Sequence, residues 1–482
     1  MPRVENILAI YPALREQRVF DPMPPLGLAW IAAALRQKGH NVHIVDEQVE
    51  TIDINAWVQG TRPSVVLIGG TSHSRFHAFA RATAIRAALP ETTIVYGGPH
   101  ASFTADDTLL NVPAIDIIAH GEGEETTLEL VRWKEAGGEH GELGKIKGIA
   151  FRRNGTVVST GWRPLNQNLD SLPFPARDLL HIDRYGMTMD YLGLPALHVM
   201  TARGCPFKCS FCSASQMYNH CYEMRSPRLV VDEVEGLVKR YGIKGLKIFD
   251  STFTINKQHV LSFCSELERR GLVMPWECEI RVGSVDRPLL ERMQKAGCYY
   301  VDIGIESAEQ EVLEIMNKRI RLTEAERLLQ WCSELGIRTK VFFTVGHIGE
   351  TYRAGMKTVR FIRKNRKHMT LVGYNPGIRV YPGTQVEDYA RQNDLLPPGF
   401  RWSKEYENLD NRRIYLAVSN IPLLLQPQMG IKELRKLRHR YILSRVTSAH
   451  FLRSKLTALV KHGELKKYLG MGVKGAISKL SS

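Results

Sequence analysis

The feature that most limits the fold of this chain is a repeated alternation of short, β-branched apolar runs with amphipathic helical stretches. The alternation occurs twice, once before residue 137 and again from about residue 195 to residue 392. It predicts parallel sheets with helices on both faces, because each parallel connection needs a crossover. Hydrophobic residues make up 44% and charged residues 24% of the 482 residues, as in ordinary globular proteins. We therefore predict an α/β protein with more than one domain.

The first run of the alternation predicts a Rossmann-like sheet. Its helical patterns cover Leu26–Lys38 and Phe76–Leu89. The predicted strands are Ile7–Tyr11, Val42–Asp46, Val65–Gly69, Thr93–Gly97 and Asp116–Ala119. Ligands bind beyond the carboxyl ends of such strands, where glycine lets the backbone approach closely. The loop residues expected there are Gly69, Gly70, Thr71, Gly97, Gly98, Pro99, His100, Gly121, Glu122 and Gly123. Composition alone leaves the ligand open.

Residues 138–190 predict a connector that contains one hairpin. Asn154 and Gly155 stand between the apolar triplets at 149–151 and 156–158, and Asn-Gly favours a two-residue turn. A stiff linker is predicted at Leu172–Pro175, since each proline fixes its own φ and restrains the residue before it.

Three cysteines in the spacing Cys-x3-Cys-x2-Cys follow a strand predicted over Leu197–Thr201. They are Cys205, Cys209 and Cys212. The same spacing suits one face of a helix, but Gly204 and Pro206 disfavour a helix interior. Three thiolates are one fewer than a tetrahedral zinc site or a fully ligated four-iron cluster requires. The pattern predicts a 4Fe-4S cluster with one open iron, and a zinc or structural site is the alternative.

This cysteine loop, with Phe211 just before its last cysteine, resembles that of the radical S-adenosylmethionine enzymes. In that family the loop follows the first barrel strand, and the open iron is chelated by the amino and carboxylate groups of S-adenosylmethionine. Electron transfer from the reduced cluster then releases a 5′-deoxyadenosyl radical. The resemblance implies that the three cysteines are the cluster ligands, and that a flavodoxin or ferredoxin supplies the electron.

The second run of the alternation predicts six βα units. After the strand before the cysteines, the predicted strands are Gly245–Phe249, Trp276–Ile280, Tyr300–Ile305, Lys340–Val345 and Gly373–Tyr381. The helices among them include Pro227–Tyr241, Val260–Arg270 and Thr323–Gly336. Six units are fewer than the eight of a closed barrel. The family resemblance implies a partial (βα)6 TIM-type barrel.

Polar residues at the ends of these strands are candidate S-adenosylmethionine contacts. Many relatives have Gly-Gly-Glu after the second strand, which binds the methionyl amino group, whereas Asp250 and Ser251 stand there in this chain. Glu279 and Arg281 share one face of the third strand, and a guanidinium can bind the methionyl carboxylate bidentately. For each of these groups the alternative role is a structural hydrogen bond.

The fourth and fifth strands of the second run carry two further candidates. Glu306 stands where the family's ribose-binding residue stands, and the resemblance implies that its carboxylate accepts bonds from ribose hydroxyls. His347 replaces an apolar residue of the relatives, so we predict that it acts as an acid or base or contacts the substrate. A structural hydrogen bond is again the alternative for both side chains.

Four segments before residue 137 resemble the cobalamin-binding domain that is fused to one subclass of this family. They span residues 24–28, 39–42, 97–102 and 120–124. The resemblance implies that Gly27 and the loop residues above contact cobalamin. Many cobalamin domains carry Asp-x-His-x-x-Gly, whose histidine ligates cobalt, but here Gln48 and Val49 follow Asp46-Glu47. We predict base-off cobalamin without a histidine ligand, with His100 and His120 as packed or exposed loop residues.

Charge is concentrated at the carboxyl end of the chain. Residues 430–482 hold thirteen Lys or Arg against two acids, and Ile431–Lys479 has a helical pattern. A basic amphipathic helix predicts peripheral contact with an anionic membrane; the alternative is a helix that caps the barrel and exposes a solvated face. No nucleic-acid-binding motif accompanies it. The absence of a long apolar stretch and of a disulfide framework predicts a cytoplasmic protein, at most peripheral to the inner membrane face.

Together these patterns predict a cobalamin-dependent radical S-adenosylmethionine enzyme that methylates an unactivated carbon of a small molecule, such as a lipid or tetrapyrrole. The expected parts are a cobalamin-binding, flavodoxin-like domain over 1–137, a linker over 138–190, the barrel over 191–400 and a basic helical region over 401–482. The alternatives are an oxidative cyclase of the porphyrin type and a non-enzymatic cobalamin sensor. A tRNA methylthiotransferase needs a second cluster motif, but residues 1–137 contain no cysteine.

Overall fold

The computed structural model describes residues 4–13, 22–405 and 420–446. The chain separates into two compact units, each made of several segments. The first unit holds residues 1–279, 295–298 and 379–422, and the second holds residues 280–294, 299–378 and 423–482. Within the described ranges, no helix is both long and apolar enough to cross a bilayer.

The amino-terminal part of the first unit contains a seven-stranded sheet. Its strands are β1 (Asn6–Tyr11), β2 (Asn41–Asp46), β3 (Val65–Gly69), β4 (Thr93–Gly97), β5 (Ile117–Ala119), β6 (Ile149–Arg153) and β7 (Thr156–Ser159). Their order across the sheet is β2-β1-β3-β4-β5-β6-β7, and the pairs from β2 to β5 are parallel. The chain reverses its direction of winding between β1 and β3, which is where ligands of this topology bind.

Helices cover both faces of this sheet. They are α1 (Leu26–Gln37), α2 (Ile54–Thr61), α3 (Arg75–Ala88), α4 (Pro99–Phe103), α5 (Ala105–Asn111) and α6 (Glu124–Glu135). Leu28 and Ala32 of α1 belong to one apolar core, and Ala78 and Ala82 of α3 belong to another. Alternate residues of β1 enter the two cores, because successive side chains of a strand point to opposite faces.

The predicted hairpin is present and extends the sheet. Asn154 and Gly155 have φ values of 51° and 79°, the left-handed pair that a tight two-residue turn requires. β6 pairs antiparallel with β5 as well as with β7. Because Ile149, Ala150 and Phe151 are buried, the hairpin is part of this sheet rather than a free connection.

The rest of the first unit begins the second run of strands. These strands are β8 (Ala196–Val199), β9 (Ala202–Gly204), β10 (Tyr222–Met224), β11 (Gly245–Ile248) and β12 (Trp276–Ile280). β11 is parallel to both β8 and β12, while β9 and β10 form a small antiparallel pair. The helices here are α7 (Ser213–Met217), α8 (Pro227–Tyr241) and α9 (Lys257–Arg269). The Ser226 hydroxyl caps α8 by accepting from the Leu229 N–H, and Gly242 ends it with φ of 64°.

Three further parallel strands are β13 (Cys298–Glu306), β14 (Arg338–Val345) and β15 (Leu371–Pro376), which lie in the second unit except for Cys298. The remaining helices are α10 (Arg287–Lys295), α11 (Gln310–Ile315), α12 (Leu322–Glu334), α13 (Tyr352–Asn365), α14 (Gln385–Gln392), which lies in the first unit, and α15 (Ile431–Val446). Short 3-10 turns occupy His140–Lys145, Leu169–Ser171, Arg177–Leu179, Ile182–Arg184, Phe253–Ile255 and Arg366–His368.

All strands predicted in the two runs are present, and most of their ends lie within two residues of the predicted ones. The prediction was wrong at the end of the last strand, which stops at Pro376 instead of Tyr381. Gly377 follows with φ of 112°, a conformation that cannot continue a strand. The antiparallel pair β9–β10 was not predicted, because its strands have only three residues each.

The carboxyl-terminal helix α15 packs within the second unit. Leu434 and Leu437 are fully buried, and Leu437 occupies space that a side chain at Gly355 of α13 would need. Tyr441 stacks on Tyr374 of β15, with ring centroids 4.3 Å apart. The predicted helix therefore begins as expected, while its continuation over residues 447–479 lies outside the described residues.

Candidate active site

The three predicted cluster ligands lie on the loop between β9 and α7. Gly204, which precedes the loop, has φ of 83°, and a Cβ there would collide with the Cys221 carbonyl. This position requires glycine for both reasons. Cys209 is buried, Cys205 and Cys212 are half-buried, and none of the three forms a disulfide.

The surroundings of these thiols suit an iron–sulfur cluster. Burial raises the pKa of Cys212, and the backbone N–H groups of Ser215 and Ala214, which hydrogen-bond its sulfur, lower it. Cys209 and Cys205 also raise this pKa, because a thiolate on either residue repels one on Cys212. Among the described residues, no group of three ligating side chains converges tightly enough for a single metal ion. Three thiolates fit a four-iron cluster that keeps one iron open.

Asp250 holds the segment that leads into the cysteine loop. It lies just beyond β11 and accepts hydrogen bonds from the Thr201 N–H at 2.7 Å, the Thr201 hydroxyl at 2.5 Å and the Ala202 N–H at 3.1 Å. Burial raises the pKa of Asp250 to about 6, although these three hydrogen bonds act in the opposite direction and lower it. His259 adds a 3.1 Å contact to the same hydroxyl. Two residues after the second strand were predicted to contact S-adenosylmethionine. Of these, Asp250 hydrogen-bonds the segment before the cysteine loop, and Ser251 is exposed.

Arg203 connects the cysteine loop to the first sheet. Its guanidinium bonds the carboxylates of Glu122 at 2.7 Å and Glu124 at 2.5 Å, and it lies 4.8 Å from the ring centre of Trp30. Arg203 and Glu124 are both buried, and the two acids raise the pKa of Arg203 against the effect of burial. Glu122, predicted to contact cobalamin, therefore also forms an ion pair with the residue two positions before Cys205.

A cavity of about 1110 Å³ lies beyond the carboxyl ends of β1, β2 and β3, within the first unit. That volume exceeds the usual range for drug-sized ligands, about 300–1,000 Å³. Met200 after β8 and Phe249 after β11 also line it. Gly27 and Thr71 are the predicted cobalamin contacts that reach it, and a Cβ on Gly27 would meet no atom within 4 Å. The cavity fits a large ligand that contacts both runs of strands.

The remaining predicted cobalamin residues lie in neighbouring loops, outside the set that lines the cavity. Gly98 has φ of 97°, and a Cβ there would come within 2.6 Å of the Gly70 carbonyl oxygen. A Cβ on Gly69 would lie 3.3 Å from Leu28, closer than an ordinary contact, and a Cβ on Gly97 would lie 3.7 Å from Ala119. These glycines allow close packing of loops at the strand ends. Pro99 begins α4, while Gly121 and Gly123 lie against Trp162 and Ile31.

The two loop histidines considered from sequence are packed in the first unit. His100 shares a 3.0 Å hydrogen bond with the Ser72 hydroxyl and contacts the Trp402 ring edge-on. Burial and the nearby charge of Arg75 lower the pKa of His100 well below its usual value. His120 is stacked on Trp162 with ring centroids 5.5 Å apart, and burial lowers its pKa as well. Neither histidine is among the residues that line the cavity.

Sequence reasoning missed several side chains of the cavity wall. They are Tyr11, Gln48, His73, Arg184, His198, Met200 and Phe249. His73 lies 3.0 Å from the Tyr381 hydroxyl, and burial lowers its pKa to about 4. The His198 ring donates to the Pro24 carbonyl, and burial lowers its pKa to about 3. His73 stands two residues after Thr71 in a loop that the sequence did single out, so the signal for it was present.

The second unit brings together Glu306, Lys318 and Thr344. Lys318 lies 3.2 Å from one carboxylate oxygen of Glu306, and the Thr344 hydroxyl lies 3.4 Å from the other. Glu306 has φ of 69° at a register irregularity between β13 and β14, which turns it out of the regular ladder. Lys318 was missed because it lies in the loop after α11, away from any predicted strand end.

His347 lies in a loop closed by its own neighbours. The Glu350 carboxylate accepts from the Gly346 N–H at 2.7 Å and the His347 N–H at 3.1 Å. The Gln426 amide donates to the His347 carbonyl at 2.8 Å. Burial and then the charge of Lys318 lower the pKa of His347 to about 3, so the imidazole is neutral. Arg281, also in this unit, is buried just after β12, and Glu279, on β12 in the first unit, is exposed.

Comparison with known proteins agrees with this arrangement. The radical SAM superfamily profile matches residues 199–362, and the B12 binding domain profile matches residues 17–131. An uncharacterized methyltransferase of Pyrococcus horikoshii is 32% identical over 88% of this chain and 92% of its own length. The anaerobic magnesium-protoporphyrin IX monomethyl ester cyclase of Cereibacter sphaeroides is 31% identical over 70% of this chain and 56% of its own length.

Among solved structures, the radical S-adenosylmethionine methyltransferase TsrM of Kitasatospora setae, with cobalamin and a 4Fe-4S cluster bound, has a TM-score of 0.68. It is 21% identical, and the match covers 82% of this chain and 80% of that one. This likeness concerns the fold, and it confirms the predicted order of a Rossmann-like sheet followed by a parallel radical SAM sheet. With the cysteine loop and the matched profiles, it leads to one assignment. The chain belongs to the B12-binding radical S-adenosylmethionine enzymes.

Proposed function

We propose that this enzyme methylates an unactivated carbon atom of a small molecule. One observation carries the proposal. The cysteine loop and the large cavity lie in one compact unit, and the cavity wall includes Met200, five residues before the first cysteine. When bound, the cluster with S-adenosylmethionine supplies hydrogen-atom abstraction, and cobalamin supplies a methyl group. The printed name of the Pyrococcus horikoshii relative supports methyl transfer as the outcome.

Within this proposal, the protein side chains bind and orient the reactants. Cys205, Cys209 and Cys212 hold the cluster, while Asp250 and Arg203 fix the backbone on which that loop depends. Ser251 and Glu279, both exposed, provide polar groups for the methionyl end of S-adenosylmethionine. Glu306, oriented by Lys318, accepts from the ribose hydroxyls. His347 is neutral and buried, so it acts as a hydrogen-bonding group near the substrate instead of carrying charge.

We propose that cobalamin binds base-off in the large cavity, without a histidine on cobalt. The support is that Gln48 and Val49 follow Asp46-Glu47 at the end of β2, where many cobalamin domains carry the cobalt-ligating histidine. The EPR spectrum of the cob(II)alamin form tests this binding mode. Nitrogen superhyperfine splitting from an axial ligand would show that a histidine does reach cobalt.

The second candidate is an oxidative cyclase, favoured by the similarity to the magnesium-protoporphyrin cyclase. Anaerobic turnover with isotopically labelled S-adenosylmethionine methyl groups, a flavodoxin or ferredoxin reductant, and candidate lipids and tetrapyrroles separates the two. Mass spectrometry should find the labelled methyl group in the product. A product that has lost hydrogen without gaining the label would show that the enzyme oxidises its substrate instead of methylating it.

We also propose that α15 contacts an anionic lipid surface through its exposed basic face. Lys432, Lys436 and Arg440 are exposed on this helix, whose apolar residues Leu434 and Leu437 are already buried in the second unit. Contact of this kind is mainly electrostatic and peripheral, since Leu434 and Leu437 already pack inside the second unit.

A further inference from the structure

A hydrogen-bonded network of three side chains fixes one wall of the large cavity. Asp46, the last residue of β2, is almost fully buried. It accepts from the Tyr185 hydroxyl at 2.5 Å and from the backbone N–H of Gln48 at 2.9 Å. The side-chain amide nitrogen of Gln48 also donates to both Asp46 oxygens, at 3.1 and 3.2 Å, and to the Met23 carbonyl at 3.1 Å. Gln48 lines the cavity. Asp46 and Tyr185 are not among the lining residues, and Asp46 fixes the side chain of Gln48 through the hydrogen bonds above.

The partners of Gln48 determine which way its amide points. A carboxylate and a backbone carbonyl are acceptors only, so the NH2 group must face Asp46 and Met23. The amide oxygen, Oε1, is left on the other side. Within the part of the chain that the structure describes, Oε1 accepts no hydrogen bond. The network thus presents a fixed acceptor on the wall of a cavity that is otherwise lined by many apolar residues.

We propose that Gln48 is a cobalamin-binding residue whose amide oxygen accepts a hydrogen bond from a donor on the bound cofactor. The donor is either an amide N–H of the corrin side chains or a water molecule on cobalt; both present the same chemistry to Oε1. Asp46 and Tyr185 are positioning residues that act through Gln48. This inference rests on the proposal that the large cavity is the cobalamin site.

The test is a titration of the apo-protein with hydroxocobalamin and with methylcobalamin, followed by visible absorption and protein fluorescence. Gln48→Met keeps the size of the side chain and removes the acceptor. Loss of one such hydrogen bond should weaken binding about five- to tenfold. Tyr185→Phe should produce a smaller change in the same direction. The matched control is Gln37→Met, the same change at an exposed position of α1 outside the cavity, which should leave the affinity unchanged.

The two ligands identify the donor. Weakening toward the hydroxocobalamin form alone assigns the donor to a water molecule that the methyl group replaces. Equal weakening toward both cobalamins assigns it to a group that both share, either a corrin amide or a water molecule on the face opposite the methyl group. Either result supports the proposal. If Gln48→Met binds both ligands within twofold of wild type, with unchanged spectra, the proposal is overturned. If that variant fails to fold, as judged by circular dichroism, the same titrations are made with Gln48→Asn, which keeps the amide and draws the oxygen back from the cavity. Weaker binding by Gln48→Asn supports the proposal, and binding within twofold of wild type overturns it.

A further variant separates this inference from the assignment of the cavity. Gly27→Phe places a ring in the open space beside Gly27 and should abolish cobalamin binding. Cobalamin binding that survives in Gly27→Phe contradicts the assignment of the cavity itself. Loss of binding in Gly27→Phe together with wild-type affinity in Gln48→Met leaves the cavity assignment in place and removes only the role of Gln48.

Discussion

The cysteine loop and the large cavity lie in the same compact unit but are built in different ways. The loop draws its three thiols from eight consecutive residues, and its backbone is held by a glycine and by neighbouring N–H groups. The cavity draws its wall from six or more separate segments, between Tyr11 and Phe249. A site of the first kind can be recognised from spacing, while a site of the second kind exists only once the chain has folded.

The two regions also differ in what a single substitution removes. If the loop holds a cluster as proposed, each thiol supplies one of three bonds to it, so loss of one ligand should remove the site. In the cavity, each side chain supplies a small share of the contact with a large ligand. We therefore expect all-or-none effects in the loop and graded effects in the cavity wall.

The largest expected effect is that of Cys209→Ala. Wild-type protein reconstituted anaerobically should bind about four irons and show a cluster EPR signal that changes when S-adenosylmethionine is added. The variant should lose both the cluster and the cleavage of S-adenosylmethionine. The control is Cys221→Ala, an exposed cysteine nine residues beyond the triad, which should behave as wild type. A Cys209→Ala protein that kept its cluster would remove the distinction between the loop and the cavity.

The next largest effect concerns the ion pairs behind the loop. Arg203→Met leaves the Glu122 and Glu124 carboxylates without their buried partner, and breaking a buried pair in this way costs about 3–5 kcal/mol of unfolding free energy. Urea denaturation of the apo-protein measures it. Arg62→Met breaks the exposed pair with Glu91 and should cost about 1 kcal/mol or less. Similar costs in the two variants would mean that Arg203 does not anchor the loop.

A pH-dependent effect of intermediate size is expected at Glu350, in a second site built from consecutive residues. Burial raises the pKa of Glu350 to about 7, so between about pH 4.5 and 7 the native protein holds a proton that the unfolded chain releases. Stability contributed by this group falls as pH rises through that window. Glu350→Gln does not titrate. The unfolding free energy of this variant, relative to that of wild type, should therefore increase by up to about 3 kcal/mol as the pH rises from 4.5 to 7.5.

Urea denaturation at several pH values measures this difference. The glutamine amide introduced by Glu350→Gln keeps an oxygen for the Gly346 and His347 N–H groups, so the loop itself should persist. The exposed swap Glu314→Gln controls for loss of one negative charge. A difference between Glu350→Gln and wild type that stays constant with pH would contradict the expectation.

Sequence reasoning reached the cavity only in part. The cysteine triad and strand β8 were predicted because spacing and local pattern define them, whereas the short pair β9–β10, whose first strand leads directly into the loop, was not. Of the cavity wall, Gly27 and Thr71 were found, since both lie in loops that the βα pattern places at strand ends. Gln48 was noted only for not being histidine. Its contact with Asp46 and Met23, and the place of Met200 and Phe249 in the same wall, depend on chain segments far apart in sequence.

The same limit explains the residues whose surroundings became visible only in the fold. Asp250 was found as a polar strand end, but its three hydrogen bonds go to Thr201 and Ala202, about fifty residues earlier. Lys318 was missed because nothing near it in sequence signals that its ammonium group reaches Glu306. Pairing of charges across elements is a consequence of packing, and a single sequence does not encode it in a local pattern.

The smallest expected effect tests whether charge on α15 serves binding or only hydration. Lys436→Gln with Arg440→Gln removes two exposed charges and leaves the buried Leu434 and Leu437 in place. If the helix contacts anionic lipid, binding to phosphatidylserine-containing vesicles should weaken by about 1 kcal/mol per charge at low salt. The effect should shrink as salt rises, because attraction is screened within about 8–10 Å at physiological ionic strength.

The matched control for α15 removes the same charge from the first unit, through Lys38→Gln with Arg132→Gln, both exposed. Equal weakening in the two double variants would mean that net charge alone drives vesicle binding, and no binding by wild type at low salt would rule out the lipid contact. Unlike the loop and the cavity, this surface needs no fixed geometry, since attraction to a charged membrane depends on the number and exposure of the charges. Its response to substitution should therefore be additive, which neither cofactor site should show.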